Sequence, residues 1–238
     1  MILLIFIVVI CYILMYTFKN KIHLDFASFF KKGFRKISNK FGVFCYTGKQ
    51  GTGKTYSAVD FCIKRKLEND YRIITNVKSF NIFSDTIYME NIMDIIKYCT
   101  RFKENEENVL IFFDEIFTVL EKGGSLAREV LSFISQLRKR GIIFVTTAQE
   151  WAEINITLRR YVRFQISCNM ISLPITNTAI IVNQVNDGDK LRWNNDLQEF
   201  VAPIIQTNIA KGKLSVIESY DTYETIKLTQ SINAYHKK

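Results

Sequence analysis

The sequence predicts an α/β fold with a mainly parallel central sheet, and three stretches carry that prediction. A glycine-rich segment, GKQGTGKT at 48–55, lies between a strand-like apolar run and a helix-like segment. The run Val109–Phe113 is wholly apolar, as expected of a strand buried on both faces, and an acidic pair follows it. A third apolar run, IIFV at 142–145, follows a helix-like segment and a glycine. Strands that alternate with helices are typical of parallel sheets.

The glycine-rich segment matches G-x-x-x-x-G-K-[ST], the phosphate-binding P-loop. Glycines permit the φ angles that turn successive N–H groups toward a phosphate chain, and the helix predicted over 54–66 points its positive end at the anion. The preceding strand is predicted over 41–47. The sequence therefore predicts an ATP site. Its predicted nucleotide-binding residues are Gly48, Lys49, Gln50, Gly51, Thr52, Gly53, Lys54 and Thr55.

The acidic pair supplies the other half of a P-loop site. Asp114 and Glu115 stand at the carboxyl end of the predicted strand Val109–Phe113. We expect Thr55 and Asp114 to be the Mg²⁺ ligands, with Asp114 acting through water. Glu115 is predicted to be the general base that polarises the attacking water.

The residue types favour one branch of P-loop enzymes, the additional-strand, catalytic-glutamate type. Lys49 also resembles the extra lysine of the ParA and MinD ATPases, but those proteins lack a glutamate directly after the aspartate. The favoured branch has a further strand between the loop strand and the aspartate strand. The segment 142–145 fits that strand, after a helix predicted over 126–140 and closed by Gly141. Gln149, which follows it, is the predicted sensor of the γ-phosphate; an ordinary loop glutamine is the alternative.

The first eighteen residues contain no charge. As a helix they would extend about 27 Å, close to the roughly 30 Å of a bilayer core, so residues 1–18 predict a transmembrane helix. A cleaved signal peptide and a buried core helix are the alternatives. The segment 19–40 carries seven basic residues and one acid, which is +6 of the formal +9. By the positive-inside rule we expect the following domain to lie in the cytoplasm.

The segment 19–40 is interpreted either as an interfacial stretch on anionic headgroups or as a solvated linker. Beyond it the chain has 25 basic and 22 acidic residues, too balanced to indicate nucleic-acid binding by charge. The only histidines are His23 and His236, which excludes a histidine-based metal site or catalytic triad. The five cysteines include no CxxC pair and fit a reducing compartment.

Residues 41–238 are predicted to form one domain, since about 200 residues fit a single α/β unit. Within it we expect a helix over 86–99 and two more strands, Tyr161–Cys168 and Thr178–Val182, joined by a turn around 173–174.

Five motifs occur in an order that resembles a known protein family. The order GKQGTGKT, LIFFDE, QLRKRGIIFVTTAQE, LRRYVRFQI and YDTYET is similar to the FtsK and HerA superfamily of DNA-translocating ATPases, in its small viral branch. Within that branch it is most similar to the Zot-like assembly proteins of filamentous phages, named for the N-terminal domain of zonula occludens toxin. The resemblance covers about residues 41–226. Such proteins usually carry their membrane span after the ATPase domain, whereas this chain carries it before.

The resemblance implies an oligomeric ATPase, with a ring the expected form, at the host inner membrane. It also implies an arginine finger from a neighbouring subunit, with Arg159 or Arg160 as first candidates and Arg138 or Arg140 next. Implied partners are phage coat or other assembly proteins, the host membrane and single- or double-stranded DNA. Three functions follow: virion assembly and extrusion, genome packaging in a tailless membrane-containing virus, or a ParA-like nucleotide switch.

Overall fold

A computed structural model of the chain describes residues 2–19, 26–30, 41–101, 108–116, 128–173, 178–190, 192–194, 199–211 and 214–221. Its helices are α1 (Ile2–Lys19), α2 (Lys54–Asn69), α3 (Ile92–Thr100), α4 (Arg128–Gln136), α5 (Ile156–Tyr161) and α6 (Leu214–Ile217). Its strands are β1 (Gly42–Thr47), β2 (Arg72–Thr75), β3 (Ile87–Tyr88), β4 (Val109–Phe113), β5 (Ile142–Ala148), β6 (Val162–Leu173), β7 (Thr178–Asp187), β8 (Arg192–Asn194), β9 (Glu199–Val201) and β10 (Ile204–Lys211).

Eight of these strands form one sheet in the order β10-β7-β6-β1-β5-β4-β2-β3. The pairs from β6 to β3 are all parallel, and β7 runs antiparallel to both of its neighbours. The α/β fold with a mainly parallel sheet is therefore confirmed. So is the additional strand, because β5 lies between the loop strand β1 and the aspartate strand β4.

The two faces of the sheet bury separate apolar layers. Alternate side chains of a strand point to opposite faces, so Phe44 and Phe112 pack with α2 on one face while Cys45 and Phe113 pack with α3 and α4 on the other. All five residues of β4 are buried. Burial on both faces explains why this strand has no polar residue, as expected from its sequence.

Two predicted helices differ from the observed ones. The helix expected over 86–99 is wrong in its first turn: Ile87–Tyr88 pairs with β2 instead, and the helix begins only at Ile92. Asn91 caps it, since its side chain accepts a hydrogen bond from the Met93 N–H at 2.8 Å. The helix expected over 126–140 is described from Arg128 and ends at Gln136.

Three strands extend beyond the runs that predicted them. Strand β5 runs on to Ala148, and the strands expected at 161–168 and 178–182 extend to Leu173 and Asp187. The turn expected around Leu173-Pro174 falls partly on residues 174–177, outside the described residues.

Near the N-terminus, α1 coincides closely with the predicted transmembrane segment. In the part of the chain described, however, no helix is both long and apolar enough to cross a membrane. A short 3-10 helix, Phe26–Phe30, contacts the edge strand β10. There the buried Ser28 hydroxyl hydrogen-bonds the Thr207 hydroxyl. The remaining positions of 19–40, apart from Lys19, lie outside the described residues.

Candidate functional site

The predicted P-loop connects β1 to α2 at the carboxyl edge of the parallel strands. Gly48 has a φ of 151° and Gly53 a φ of 82°, both in the region that favours glycine. Space is limiting as well: a Cβ on Gly48 would lie 2.5 Å from the Cys168 carbonyl oxygen, and one on Gly53 would lie 2.5 Å from Ile181 Cδ1. The loop therefore needs glycine at both positions, because β6 and β7 pack directly against it.

Hydrogen bonds within the loop fix its curvature. The Lys49 carbonyl accepts from Thr52 Oγ1 at 2.7 Å and from Lys54 Nζ at 3.3 Å. At the start of the loop, Gly48 N–H donates to the Gln149 carbonyl at 3.2 Å. The ammonium group of Lys54 thus lies across the loop, where a bound phosphate chain would meet it.

Asp114 follows β4 at the same edge and faces the start of α2. Thr55 Oγ1 lies 3.5 Å from Asp114 Oδ2, so a hydroxyl and a carboxylate oxygen are adjacent. These are the hard oxygen ligands that Mg²⁺ prefers, and Mg²⁺ usually binds through one or two carboxylates together with substrate phosphates. Across the described residues, His, Cys, Asp and Glu form no cluster of three or more able to hold a metal ion. The residues present fit a Mg²⁺–nucleotide site.

Burial raises the pKa of Asp114 to about 6. The charge of Glu115 adds to this rise, while hydrogen bonds from Thr147 and Thr55 and the charge of Lys54 oppose it. Burial thus disfavours the ionised carboxylate. A cation next to Asp114 would stabilise that ionised form, which is a further reason why the position suits a metal ligand.

Thr147, at the end of β5, joins the two acidic residues. Its hydroxyl donates to Asp114 Oδ1 and accepts from the Glu115 N–H at 2.9 Å. Glu115 has a φ of 53°, a conformation that a non-glycine residue adopts at a cost of about 1–3 kcal/mol. The contact from Thr147 therefore helps to hold Glu115 in a strained but defined orientation.

Asn76, which follows β2, holds the same turn from the other side. Its side-chain amide donates to the Asp114 carbonyl at 3.1 Å and accepts from the Asp114 N–H at 2.8 Å. Both backbone groups of a buried residue are thereby satisfied by one side chain. Asn76 and Thr147 together fix the end of β4.

A cavity of about 340 Å³ opens between the loop and the ends of β2 and β4. It is lined by Gln50, Gly51, Gly53, Lys54, Thr55, Tyr56, Val77, Asp114, Glu115, Tyr220 and Asp221. The structure thus brings five of the eight predicted nucleotide-binding residues together with both predicted metal ligands and the predicted general base in one cavity. Of the described loop residues, Gly48, Lys49 and Thr52 are not among those that line it.

The other predicted site residues lie elsewhere. The lining residues, all drawn from the described part of the chain, do not include Gln149, whose backbone carbonyl instead meets the loop at Gly48. Arg159 and Arg160 end α5, just before β6 begins at Val162. Val162 pairs with Val43 at the start of β1, so both arginines lie at the amino edge, opposite the loop.

The second pair of arginines occupies the same edge. Arg138 and Arg140 precede β5, whose first residues pair with the starts of β1 and β4. The guanidinium of Arg140 donates to Gln136 Oε1 at 3.1 and 3.2 Å. Arg159 Nε donates to the Ile154 carbonyl at 2.9 Å, whereas Arg160 is exposed. None of the four can serve the cavity of its own chain without crossing the length of the sheet.

The sequence prediction assigns no role to three residues that the structure places at the site, although each has a recognisable sequence feature. Thr147 is a polar residue inside a buried strand, and buried polar groups need partners. Asn76 follows the strand Arg72–Thr75, which is too short for its sequence pattern to predict a strand. Tyr220 belongs to the YDTYET stretch, which carried the resemblance but no assigned role.

The family profile described as zonular occludens toxin (Zot) matches residues 42–176, more than half of the chain. The chain belongs to the Zot family. The resemblance inferred from the motifs is therefore confirmed at this level. No curated protein sequence matches this Zot-family chain.

Several solved structures are similar to this Zot-family chain. The N-terminal domain of zonular occludens toxin from Neisseria meningitidis is 15% identical, with 76% of this chain and 98% of that one covered and a TM-score of 0.49. The genome packaging NTPase B204 of Sulfolobus turreted icosahedral virus 2, in complex with ATP-gammaS, is 11% identical, covering 68% and 97%, with a TM-score of 0.44. Flagellar accessory protein FlaH from Methanocaldococcus jannaschii is 13% identical, covering 72% and 90%, with a TM-score of 0.42.

Proposed function

We propose that this protein is a Mg²⁺-dependent ATPase of phage assembly, which couples ATP hydrolysis to the assembly and extrusion of DNA or virions through the host membrane. The observation that carries the ATPase assignment is the convergence of Lys54, Thr55, Asp114 and Glu115 on one cavity. Membership of the Zot family supports the phage-related role.

Each residue has a distinct task in the proposed reaction. The backbone N–H groups of the loop and the Lys54 ammonium bind the phosphate chain, and the N-terminus of α2 adds its positive dipole. Mg²⁺, when bound, would neutralise phosphate charge next to Thr55 and Asp114. Glu115 takes the proton of the attacking water, and Thr147 keeps the Glu115 backbone in place for that step.

The N-terminal part of the chain supports a location at the inner membrane. An uncharged stretch of eighteen residues precedes a segment of charge +6, the sequence pattern of a single span with its C-terminal side in the cytoplasm. The contact between Ser28 and Thr207 ties this segment to β10. We propose that the anchor holds the ATPase domain close to the bilayer, where copies assemble into a ring with coat or other assembly proteins and DNA as partners.

ATP binding provides the direct test of the site. Replacing Lys54 with Ala should weaken ATP binding by about 10- to 100-fold, because a charge-assisted hydrogen bond contributes about 1.5–3 kcal/mol. Titration calorimetry with ATP and Mg²⁺ measures the affinity. Lys97→Ala, which removes an equal charge from an exposed side chain of α3, is the matched control and should bind as the parent does. Equal affinities for the parent and Lys54→Ala would contradict the P-loop assignment.

Protease accessibility tests the proposed topology. Protease added to spheroplasts, in which the outer face of the inner membrane is exposed, should leave residues beyond 40 undigested, because the basic flank retains them on the cytoplasmic side. Immunoblotting against a C-terminal tag gives the result. Permeabilised spheroplasts are the control, since there the same domain should be cut. Digestion in spheroplasts that have not been permeabilised would show that the domain faces outward, and the cytoplasmic orientation would then be abandoned.

A further inference from the structure

The nucleotide cavity has one wall that no P-loop motif supplies. Tyr220 and Asp221, from the end of the described chain, line the same cavity as Lys54, Thr55 and Asp114. Tyr220 is buried and belongs to the apolar layer that contains Tyr56 and Val77. A tyrosine beside a phosphate-binding loop can contact a bound ligand directly, as aromatic side chains commonly do in ligand pockets.

The turn that carries Tyr220 is firmly attached to the domain. Helix α6 contacts α2, and Val216 on it is buried. The Ser219 hydroxyl donates to the Val216 carbonyl at 2.5 Å, and the Asp221 N–H donates to Ser79 Oγ at 2.9 Å. The turn is therefore held on both sides of Tyr220, so that its position is set by contacts with α2 and with the loop after β2.

The loop after β2 connects this turn to the metal-binding aspartate. Asn76 binds both backbone groups of Asp114, Val77 lines the cavity, and Ser79 binds the backbone of Asp221. Four successive residues thus contact Asp114 at one end and the C-terminal turn at the other. A shift of Asp114 can therefore be transmitted through this loop to the turn that carries Tyr220, and a shift of the turn can be transmitted to Asp114.

We propose that Tyr220 is a positioning residue of the nucleotide site, whose ring closes the cavity on the β2 side and holds the Mg²⁺–phosphate region against Thr55 and Asp114. This inference rests on the proposed ATPase function. The ring excludes water from that region, and exclusion of water strengthens the electrostatic contacts between the phosphates and the protein. Burial, with smaller contributions from the charges of Asp114 and Tyr56, raises the pKa of Tyr220 to about 12, so the side chain stays neutral.

Hydrogen exchange of the unmodified full-length chain tests the placement. Saturating ATP-gammaS with Mg²⁺ should slow exchange in peptides covering 214–221 as well as in peptides covering the P-loop. Protection of both segments supports the proposal. Protection of the P-loop alone overturns it and leaves the proposed function intact. If neither segment is protected, nucleotide binding itself fails and the proposal falls with it.

Substitution tests the role of the ring. Tyr220→Ala should weaken Mg²⁺–ATP binding by about tenfold or more, because truncation of a buried aromatic residue at a binding site removes both its packing and its exclusion of water. Tyr220→Phe, which keeps the ring, should bind within about twofold of the parent. Ile217→Ala on the same helix is the control, since Ile217 is 49% exposed. A Tyr220→Ala chain that folds, as judged by circular dichroism, and binds as the parent does would overturn the proposal; so would equal losses in the Phe and Ala variants.

Discussion

Replacing Glu115 with Gln will leave ATP bound and lower the rate of hydrolysis by about 10²- to 10⁴-fold, the usual contribution of a general base. The amide has nearly the shape of the carboxylate but cannot accept the proton of the attacking water. Lys54, Thr55 and Asp114 are unchanged in this variant, so the affinity for Mg²⁺–ATP should stay close to that of the parent. Steady-state phosphate release measures the rate, and titration calorimetry measures the affinity.

Two further variants make this result specific. Glu129→Gln neutralises an exposed glutamate in the first turn of α4 and should hydrolyse ATP as the parent does. Asp114→Asn should lower both hydrolysis and Mg²⁺-dependent binding, because it changes the proposed metal ligand rather than the proposed base. If Glu115→Gln retains a rate within a few fold of the parent, Glu115 is not the base. The catalytic-glutamate assignment would then fail, and another group would have to activate the water.

The strained backbone at Glu115 gives this prediction a structural basis. A φ of 53° is maintained only when neighbouring contacts fix it. Here the Asn76 amide donates to the Asp114 carbonyl and the Thr147 hydroxyl accepts from the Glu115 N–H, so both polar groups of the peptide between Asp114 and Glu115 are fixed. The observed outlier lies at the residue to which we assign the chemistry. Backbone strain of this kind clusters at functional sites, where the surrounding contacts fix the geometry.

The parts of the fold that were predicted from the sequence depend on local signals. The P-loop is a contiguous pattern of eight residues, and β4 was placed at Val109–Phe113 because a strand buried on both faces has no polar position. Gly141 has a left-handed φ of 67° directly before β5, as expected of a glycine there, although α4 already ends at Gln136. Each signal lies within one element, and no long-range contact is needed to recognise it.

The missed parts depend on contacts between distant segments. Asn76 acts on Asp114 only because β2 pairs with β4 in a register that places Thr75 beside Phe112. Strand β2 has four residues, too few for a clear periodic pattern. Tyr220 reaches the cavity only because α6 packs on α2. The pattern of a single sequence does not show which distant segments pair, so the positions of Asn76 and Tyr220 at the site could be identified only from the folded chain.

The position of the candidate arginines could have been derived from strand direction. A residue that precedes a parallel strand lies at the amino edge of the sheet, whereas P-loop nucleotides bind at the carboxyl edge. Arg159 and Arg160 precede β6, and β1 is six residues long, so about 20 Å of strand separates them from the loop of their own chain. An arginine finger from this edge must therefore act on the site of another subunit.

Replacing both Arg159 and Arg160 with Ala should lower ATP hydrolysis by about 10³- to 10⁵-fold, the usual contribution of an arginine finger to phosphoryl transfer. The loss should appear in the rate and not in ATP affinity, because the arginines of a chain do not line its own cavity. Rates measured in anionic lipid vesicles at increasing surface density should rise steeply for the parent, since neighbouring copies must meet to complete a site. Arg138→Ala with Arg140→Ala removes the second candidate pair at the same edge and should hydrolyse ATP as the parent does; a loss there instead would assign the finger to that pair.

Mixing two inactive variants decides whether the site is shared. A Lys54→Ala chain keeps its arginines, and an Arg159→Ala, Arg160→Ala chain keeps its P-loop, so a mixed assembly contains some complete sites. Activity recovered in the mixture, and absent from either variant alone, would show that one subunit completes the site of the next. The single variants Arg159→Ala and Arg160→Ala should lose different amounts of ATPase activity. Arg160 is exposed, whereas Arg159 already donates to the Ile154 carbonyl of its own chain. Full activity of the double variant at dilutions where the chain is monomeric would exclude a finger at this edge, and the ring would lose its main mechanistic support.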